Sequence, residues 1–220
     1  MPQLFPLAVC MAVSALFSFA QSPLAVKAAP LVGVFLDFDS VPGAPSLAVM
    51  KKEVENLLER SGLSIAWRTT SENHGDSPFA MVVVLKFKGM CKAGWTPPQH
   101  AEFGSLGSEP HTLASTRVQD GHVMPYGEVE CDQVRKALSY LRPGTGQGER
   151  QSAMGRAMGR VVAHELYHML ASTTRHTLRG LAKATQSLED LISPEKLGFD
   201  AEESKAIGAG QAFNPPHAVN

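Results

Sequence analysis

A β-α-β unit near the N-terminus is the feature that most restricts the fold of this 220-residue chain. Residues 31–38 (LVGVFLDF) and 63–68 (LSIAWR) are short apolar runs typical of buried strands. Between them, residues 46–60 repeat apolar side chains at helical spacing and place lysines and glutamates on the opposite side. Because two strands joined through a helix lie parallel with a right-handed crossover, this unit predicts an α/β fold.

The segments that follow extend this unit to a mixed, mostly parallel twisted sheet with an antiparallel edge hairpin and flanking helices. The most β-branched run is MVVVLKF at residues 81–87, which favours a central strand. Asp120-Gly121 is a hairpin signal between strands expected at residues 112–118 and 122–129. Apolar periodicity predicts further helices at residues 131–141, 149–172 and 178–191.

Composition and charge narrow the functional classes. The chain carries 20 Lys and Arg against 21 Asp and Glu, which gives a formal net charge of −1. A near-neutral chain lacks the basic surface that binds nucleic acid or anionic membranes, so we expect neither as a partner. After the N-terminus no run approaches the roughly 18 apolar residues of a membrane span, and the length suits one domain.

The N-terminal 20 residues predict export. Residues 1–20 contain no charged side chain and end in Ser18-Phe19-Ala20, which places small residues at positions −3 and −1 and resembles a secretory cleavage site before Gln21. The Lys or Arg that usually precedes the apolar run of a signal peptide is missing, and the run is long enough that a membrane anchor is the alternative. Cleavage would leave a short leader at residues 21–30 and a secreted or periplasmic protein.

Two cysteines remain after this cleavage, Cys91 and Cys131. An even pair in an exported protein predicts a disulfide, here one that closes a loop of about 40 residues. The alternative is a pair of buried thiols that never meet.

The chemistry of the chain centres on His164-Glu165-Leu166-Tyr167-His168, inside the longest predicted helix. Histidines at positions i and i+4 share one helix face, so both imidazoles can reach a single Zn²⁺ ion at about 2.1 Å. Glu165, beside the first histidine, can face the open coordination position and take a proton from a water there. The motif therefore predicts a zinc site with Glu165 as the general base.

This motif resembles that of the zincin superfamily of metallopeptidases, in particular its metzincin branch, which reads HExxHxxGxxH. Ala171 stands at the glycine position and Thr174 at the position of the third histidine. His176 follows two residues later and is expected as the third ligand. The stretch HELYH-x7-H is also similar to a group of uncharacterised exported bacterial proteins of zincin type. The added residues are expected to form a wider turn that does without a glycine in a left-handed conformation, which other residues adopt at a cost of about 1–2 kcal/mol.

The competing third ligand is Glu189. In the thermolysin-like branch a glutamate on the next helix completes the site, and Glu189 lies 21 residues after His168. Another feature departs from the metzincins: no methionine follows Met169, so the Met-turn that underlies the metal in that branch is absent in its usual form.

The resemblance implies an exported zinc metallopeptidase with residues 31–204 as its catalytic domain and residues 205–220 as a loose tail. It implies a peptide or protein substrate that lies in a cleft between the edge strand near residues 112–118 and the active-site helix. The alternative is a non-enzymatic module of the same fold that keeps the metal for binding or structure.

Overall fold

The computed structural model describes residues 29–71, 79–93, 112–139, 141, 144–195 and 197–210. The expected signal peptide and most of the expected leader lie outside these residues. In chain order the elements are β1 (Leu31–Phe38), α1 (Ala44–Leu58), β2 (Ser64–Thr69), β3 (Met81–Lys88), β4 (Ala114–Gln119), β5 (His122–Glu130), α2 (Cys131–Leu138), α3 (Gln147–Leu170), α4 (Leu188–Ile192) and α5 (Ala201–Ala209). None of the helices in this part of the chain combines the length and apolar character needed to cross a bilayer.

The strands form one five-stranded sheet in the order β2-β1-β3-β5-β4. β1 pairs in parallel with β2 and β3, β3 pairs in parallel with β5, and β4 is the antiparallel edge strand. The hairpin turn has φ angles of 51° at Asp120 and 77° at Gly121, the left-handed pair that a tight hairpin requires. These findings confirm the mixed, mostly parallel sheet, the central position of residues 81–87 and the antiparallel edge.

The long helix α3 lies in the centre of the core. Its side chains join one apolar cluster with α1 and with alternate residues of β1 and β3. Two glycines let α1 and α3 approach closely, because an added Cβ would lie 2.5 Å from the Ser46 carbonyl oxygen at Gly155 and 2.7 Å from the Glu53 Cβ at Gly159. The helix that carries both motif histidines is thus held in place along much of its length.

The expected helix at residues 178–191 is wrong for most of its span. Only Leu188–Ile192 is helical, and residues 178–187 form an irregular loop. Gly180 has a φ of 70° and Leu181 donates its N–H to the Gly198 carbonyl, so the backbone makes tertiary hydrogen bonds in place of the i to i−4 bonds of a helix. The apolar spacing that suggested a helix belongs to a loop whose Leu181 side chain is fully buried.

The first residues of the expected loose tail are helical instead. Residues 205–209 belong to α5, whose N-terminus is closed by a capping box between Asp200 and Glu203. Ile207 is fully buried and anchors this helix in the core. The remainder of the expected tail, residues 211–220, lies outside the described part of the chain.

Cys91 and Cys131 confirm the expected disulfide. The first follows β3 and the second begins α2; their Cα atoms are 4.9 Å apart and both residues are fully buried. The bond therefore ties the end of the central strand to the helix that follows β5.

Replacing both cysteines with alanine should lower the free energy of unfolding by about 4 kcal/mol, because the bond closes a loop with a sequence separation of 40 residues. Urea denaturation of the double variant and the wild type, both under oxidising conditions, measures this difference. Reduced wild-type protein is the control and should match the variant. Equal stability of the oxidised wild type and the double variant would contradict the assignment.

Candidate metal centre

The two motif histidines project from the same face of α3. Their Nε2 atoms are 3.1 Å apart, and the ring centroids of His164 and His168 are separated by 4.7 Å. His168 is buried, whereas His164 is half-buried. The two ring nitrogens, one helical turn apart, therefore lie close enough for one metal ion to bind both, as the motif spacing predicted.

The other nitrogen of each ring faces a backbone carbonyl. His164 Nδ1 lies 2.8 Å from the Leu181 oxygen, and His168 Nδ1 lies 2.8 Å from the Thr173 oxygen. Because a carbonyl can only accept, each Nδ1 must donate, and in the neutral ring each Nε2 then carries a lone pair. At a separation of 3.1 Å two such lone pairs repel each other, and a cation bound by both nitrogens would relieve this repulsion. The donor set therefore fits a metal ion.

Burial keeps both rings in the form that binds a metal. It lowers the pKa of His164 to about 4 and also lowers the pKa of His168 below its ordinary value. Hydrogen bonds to the Leu181 and Thr173 carbonyls oppose this effect only in part. Near pH 7 both imidazoles are consequently neutral, as metal coordination requires.

A sharp turn after α3 brings in the third histidine. The N–H of Ser172 binds the Met169 carbonyl and the N–H of Thr173 binds the His168 carbonyl, the two bonds of a Schellman motif. Ser172 has a φ of 48°, so the turn does without a left-handed glycine, as expected, but it places a serine in that conformation. The motif needs that conformation at its first residue beyond the cap, and serine adopts it here at a cost of about 1 kcal/mol.

The turn places His176 against both helix histidines. Its ring lies 5.3 Å from that of His164 and 4.8 Å from that of His168, measured between centroids. The three residues each offer one nitrogen, and these nitrogens all lie within 4.8 Å of one another. His176 is exposed, so it closes the cluster from the solvent side.

The competing residue Glu189 lies elsewhere. It is exposed in the first turn of α4 and does not belong to the histidine cluster. Its neighbour Asp190 instead pairs with Lys183 at 2.6 Å. The described residues thus assemble three histidines, without a glutamate from the following helix.

A buried arginine fixes the chain segment that follows the loop carrying His176. Arg160 lies one turn before His164 and is 2% exposed. Its Nε binds Glu53 Oε1 at 2.8 Å. The remaining nitrogens donate to three backbone carbonyls at 2.7 to 2.9 Å, those of Asp190, Ser193 and Glu195. The loop that carries His176 is therefore fixed to α3 at both of its ends.

Glu165 points toward the sheet edge. Thr116 of β4 donates its hydroxyl to Glu165 Oε2 at 2.6 Å. The residue is 5% exposed, and burial raises the pKa of its carboxyl to about 7, against the opposing effect of the Thr116 hydrogen bond. At neutral pH this group can therefore both accept and release a proton.

The cluster and Glu165 line one open cleft of about 580 Å³. Its walls are β4 on one side and α3 with the His176 loop on the other, as expected from the sequence. The lining includes Thr112, Leu113, Ala114, Ser115, Thr116, Val118, Val123, Val161, Thr173, Thr174, Ala184, Thr185 and Gln186 besides the four site residues. Within the described ranges β4 has no strand on its outer side, so the backbone groups on that side are not paired with another strand of the sheet.

Several residues that build the site carry no signal in the sequence. Thr116 lies 49 residues before Glu165, and only the packing of β4 on α3 brings the two together. Gln186 and the Leu181 carbonyl belong to a segment that was expected to be helical. Arg160 alone offers a hint, because a charged residue at helical spacing from His164 falls on the apolar face of α3.

In the metal-free protein, the pKa of Glu165 predicts a loss of stability as the pH rises. The folded pKa of about 7 lies above the ordinary 4.5, so this contribution is complete below about pH 4.5 and disappears as the pH passes through 7. His164 acts oppositely: its stabilising contribution is present above about pH 6.5 and is lost as the pH falls through 4.

Comparing wild type with Glu165→Gln isolates the contribution of the Glu165 carboxyl to the pH dependence of stability. Between pH 4.5 and 8 the unfolding free energy of the variant should rise relative to wild type by about 3 kcal/mol. Urea unfolding in the presence of a chelator, at a series of pH values, measures this difference. If the difference in unfolding free energy between the variant and the wild type did not vary with pH, the raised pKa of the buried Glu165 carboxyl would be contradicted.

Comparison with protein-family models and with curated proteins found no match to this chain.

Proposed function

We propose that this protein is an exported zinc-dependent metallopeptidase of zincin type. One observation carries the proposal: three histidine nitrogens within 4.8 Å of one another lie beside a buried glutamate in an open cleft. Three imidazole ligands with an open position are characteristic of catalytic zinc, whereas structural zinc sites are closed by four protein ligands. The disulfide between Cys91 and Cys131 is compatible with export.

The three histidines would hold the ion. His164 and His168 would bind it through Nε2, because their Nδ1 atoms donate to carbonyls. His176 would supply the third nitrogen from the exposed side of the cluster. A bound zinc ion would supply a Lewis acid that polarises a peptide carbonyl and makes water more acidic.

Glu165 would move the protons. Thr116 holds Oε2, and the carboxylate would take a proton from the attacking water and then deliver it to the leaving amine. A general acid and base works best when its pKa is near the working pH. The burial that raises the pKa of Glu165 to about 7 therefore suits both halves of this role.

The substrate would be an extended peptide. The edge strand β4 borders the cleft with backbone groups that another strand can pair with. A peptide added to this edge would cross the cleft in front of Glu165 and the histidines. Such pairing uses main-chain groups, so it gives affinity for unfolded segments of varied sequence.

Zinc analysis combined with a hydrolysis assay tests the proposal. Protein lacking the signal segment and reconstituted with zinc should contain about one ion per chain. It should cleave an unfolded protein such as reduced casein, with ¹⁸O from labelled water appearing in the new carboxyl termini. Chelation should stop cleavage and zinc should restore it.

The two possible failures have different meanings. Absence of zinc after reconstitution would overturn the metal site itself. Zinc at one per chain without cleavage of casein or of a diverse peptide library would favour the alternative, a zinc-keeping binding or structural module.

A further inference from the structure

The Leu181 carbonyl oxygen accepts two hydrogen bonds at once. His164 Nδ1 lies 2.8 Å from it, and Gln186 Nε2 lies 2.9 Å from it. The first bond belongs to the metal centre described above. The second comes from a residue that lines the same cleft and has no role in the proposed reaction.

The orientation of the Gln186 amide follows from its neighbours. Its Nε2 faces two carbonyl oxygens, Leu181 at 2.9 Å and Lys183 at 3.2 Å. Only the NH₂ group can donate to both, so the amide cannot be flipped. Its Oε1 is then left buried, without a hydrogen-bond partner among the described residues. An unsatisfied buried oxygen is costly, so the two donated bonds must offset its desolvation.

Few other contacts direct the Leu181 carbonyl. The loop around it has an isolated bridge between Thr177 and Lys183 and a hydrogen bond from the Thr177 N–H to the Ala182 carbonyl, and the preceding Gly180 has a φ of 70°. The Leu181 side chain is buried and its N–H binds the Gly198 carbonyl, which fixes the residue. Gln186 adds the contacts that fix the direction of its carbonyl, because it ties the oxygens of Leu181 and Lys183 together.

We propose that Gln186 is a positioning residue of the metal centre. It holds the Leu181 carbonyl against the Nδ1–H of His164, which fixes the tautomer of that ring and directs its Nε2 toward His168 and His176. Groups that hydrogen-bond to a metal-binding imidazole set both its tautomer and its orientation. This inference rests on the proposed zinc site and adds to it a residue that touches no ligand nitrogen directly.

The test is the zinc affinity of Gln186→Met. Methionine keeps the length of the side chain and removes both donors. The matched control is Gln133→Met in α2, since Gln133 is also half-buried with a buried, unpaired Oε1. The zinc dissociation constant, measured by competition with a chelator, should rise about 10- to 100-fold for Gln186→Met. It should stay at the wild-type value for Gln133→Met.

A second measurement separates positioning from a general loss of structure. In the metal-free wild type at pH 7.5, ¹⁵N shifts of the His164 ring should report a single Nδ1–H tautomer. Gln186→Met should show a mixture of tautomers while its melting temperature without metal stays at the wild-type value. Wild-type zinc affinity and a single tautomer in Gln186→Met would overturn the inference and leave the proposed peptidase intact. A wild type that binds no zinc would overturn the proposed function.

Discussion

Replacing Glu165 with glutamine should lower the rate of peptide hydrolysis by about 10³-fold and leave the zinc content near one per chain. The magnitude is that of a lost general acid and base, which typically contributes about 10²- to 10⁴-fold. Glutamine keeps the size of the side chain and an oxygen that can accept the Thr116 hydroxyl, so the geometry around the histidines should survive. It can neither take a proton from water nor deliver one to the leaving amine, so the change removes the proton transfers assigned to Glu165.

A second buried glutamate provides the control. Glu203 of α5 is 6% exposed, close to the 5% of Glu165, and serves a helix cap away from the cleft. Glu203→Gln should retain the wild-type rate. Turnover is measured with labelled peptides and zinc content by plasma emission spectroscopy, both on the same preparations. Undiminished hydrolysis by zinc-loaded Glu165→Gln would exclude the assigned role.

Replacing His176 with alanine should weaken zinc binding by more than about 100-fold, the upper end of what an outer-shell change costs, because a direct ligand is removed. His176 is exposed, so the substitution creates no cavity in the core. The metal-free variant should therefore melt at the wild-type temperature, and the whole effect should appear in the zinc dissociation constant.

Glu189→Ala distinguishes the two candidate third ligands. Glu189 is exposed and lies outside the histidine cluster, so its removal should leave zinc affinity unchanged. Chelator competition on both variants measures the contrast. A large loss of affinity in Glu189→Ala together with a small one in His176→Ala would reverse the assignment and favour the thermolysin-like arrangement.

The elements that depend only on neighbouring residues were predictable. The continuous apolar runs of β1 and β3 predicted buried strands, Asp120-Gly121 predicted the hairpin turn, and the 3.6-residue spacing of apolar side chains predicted the amphipathic α1. The placement of His164 and His168 on one face has the same origin, because residues four apart on a helix lie about one turn apart. Their spacing therefore predicted the pair without knowledge of the sheet.

Residues 178–191 show where this reasoning fails. Their apolar spacing indicated a helix, but the Leu181 N–H binds Gly198 and its carbonyl receives His164 and Gln186. Gly198 and His164 satisfy this backbone from outside the segment, and the Gln186 side chain does so from within it, so no helical hydrogen bonds are needed there. The periodicity of a sequence does not report partners that lie elsewhere in the chain.

The sequence by itself determined the paired histidines, the adjacent Glu165 and the strands that form the sheet. Only the tertiary structure decided what surrounds them: the Thr116 hydroxyl on Glu165, 49 residues away, and the Arg160 anchor on Glu53, 107 residues away. Local spacing sets which side chains share a helix face, because the helix repeat is constant. Contacts across such separations depend on how whole elements pack and on where the chain turns at Ser172, and no short-range period encodes either.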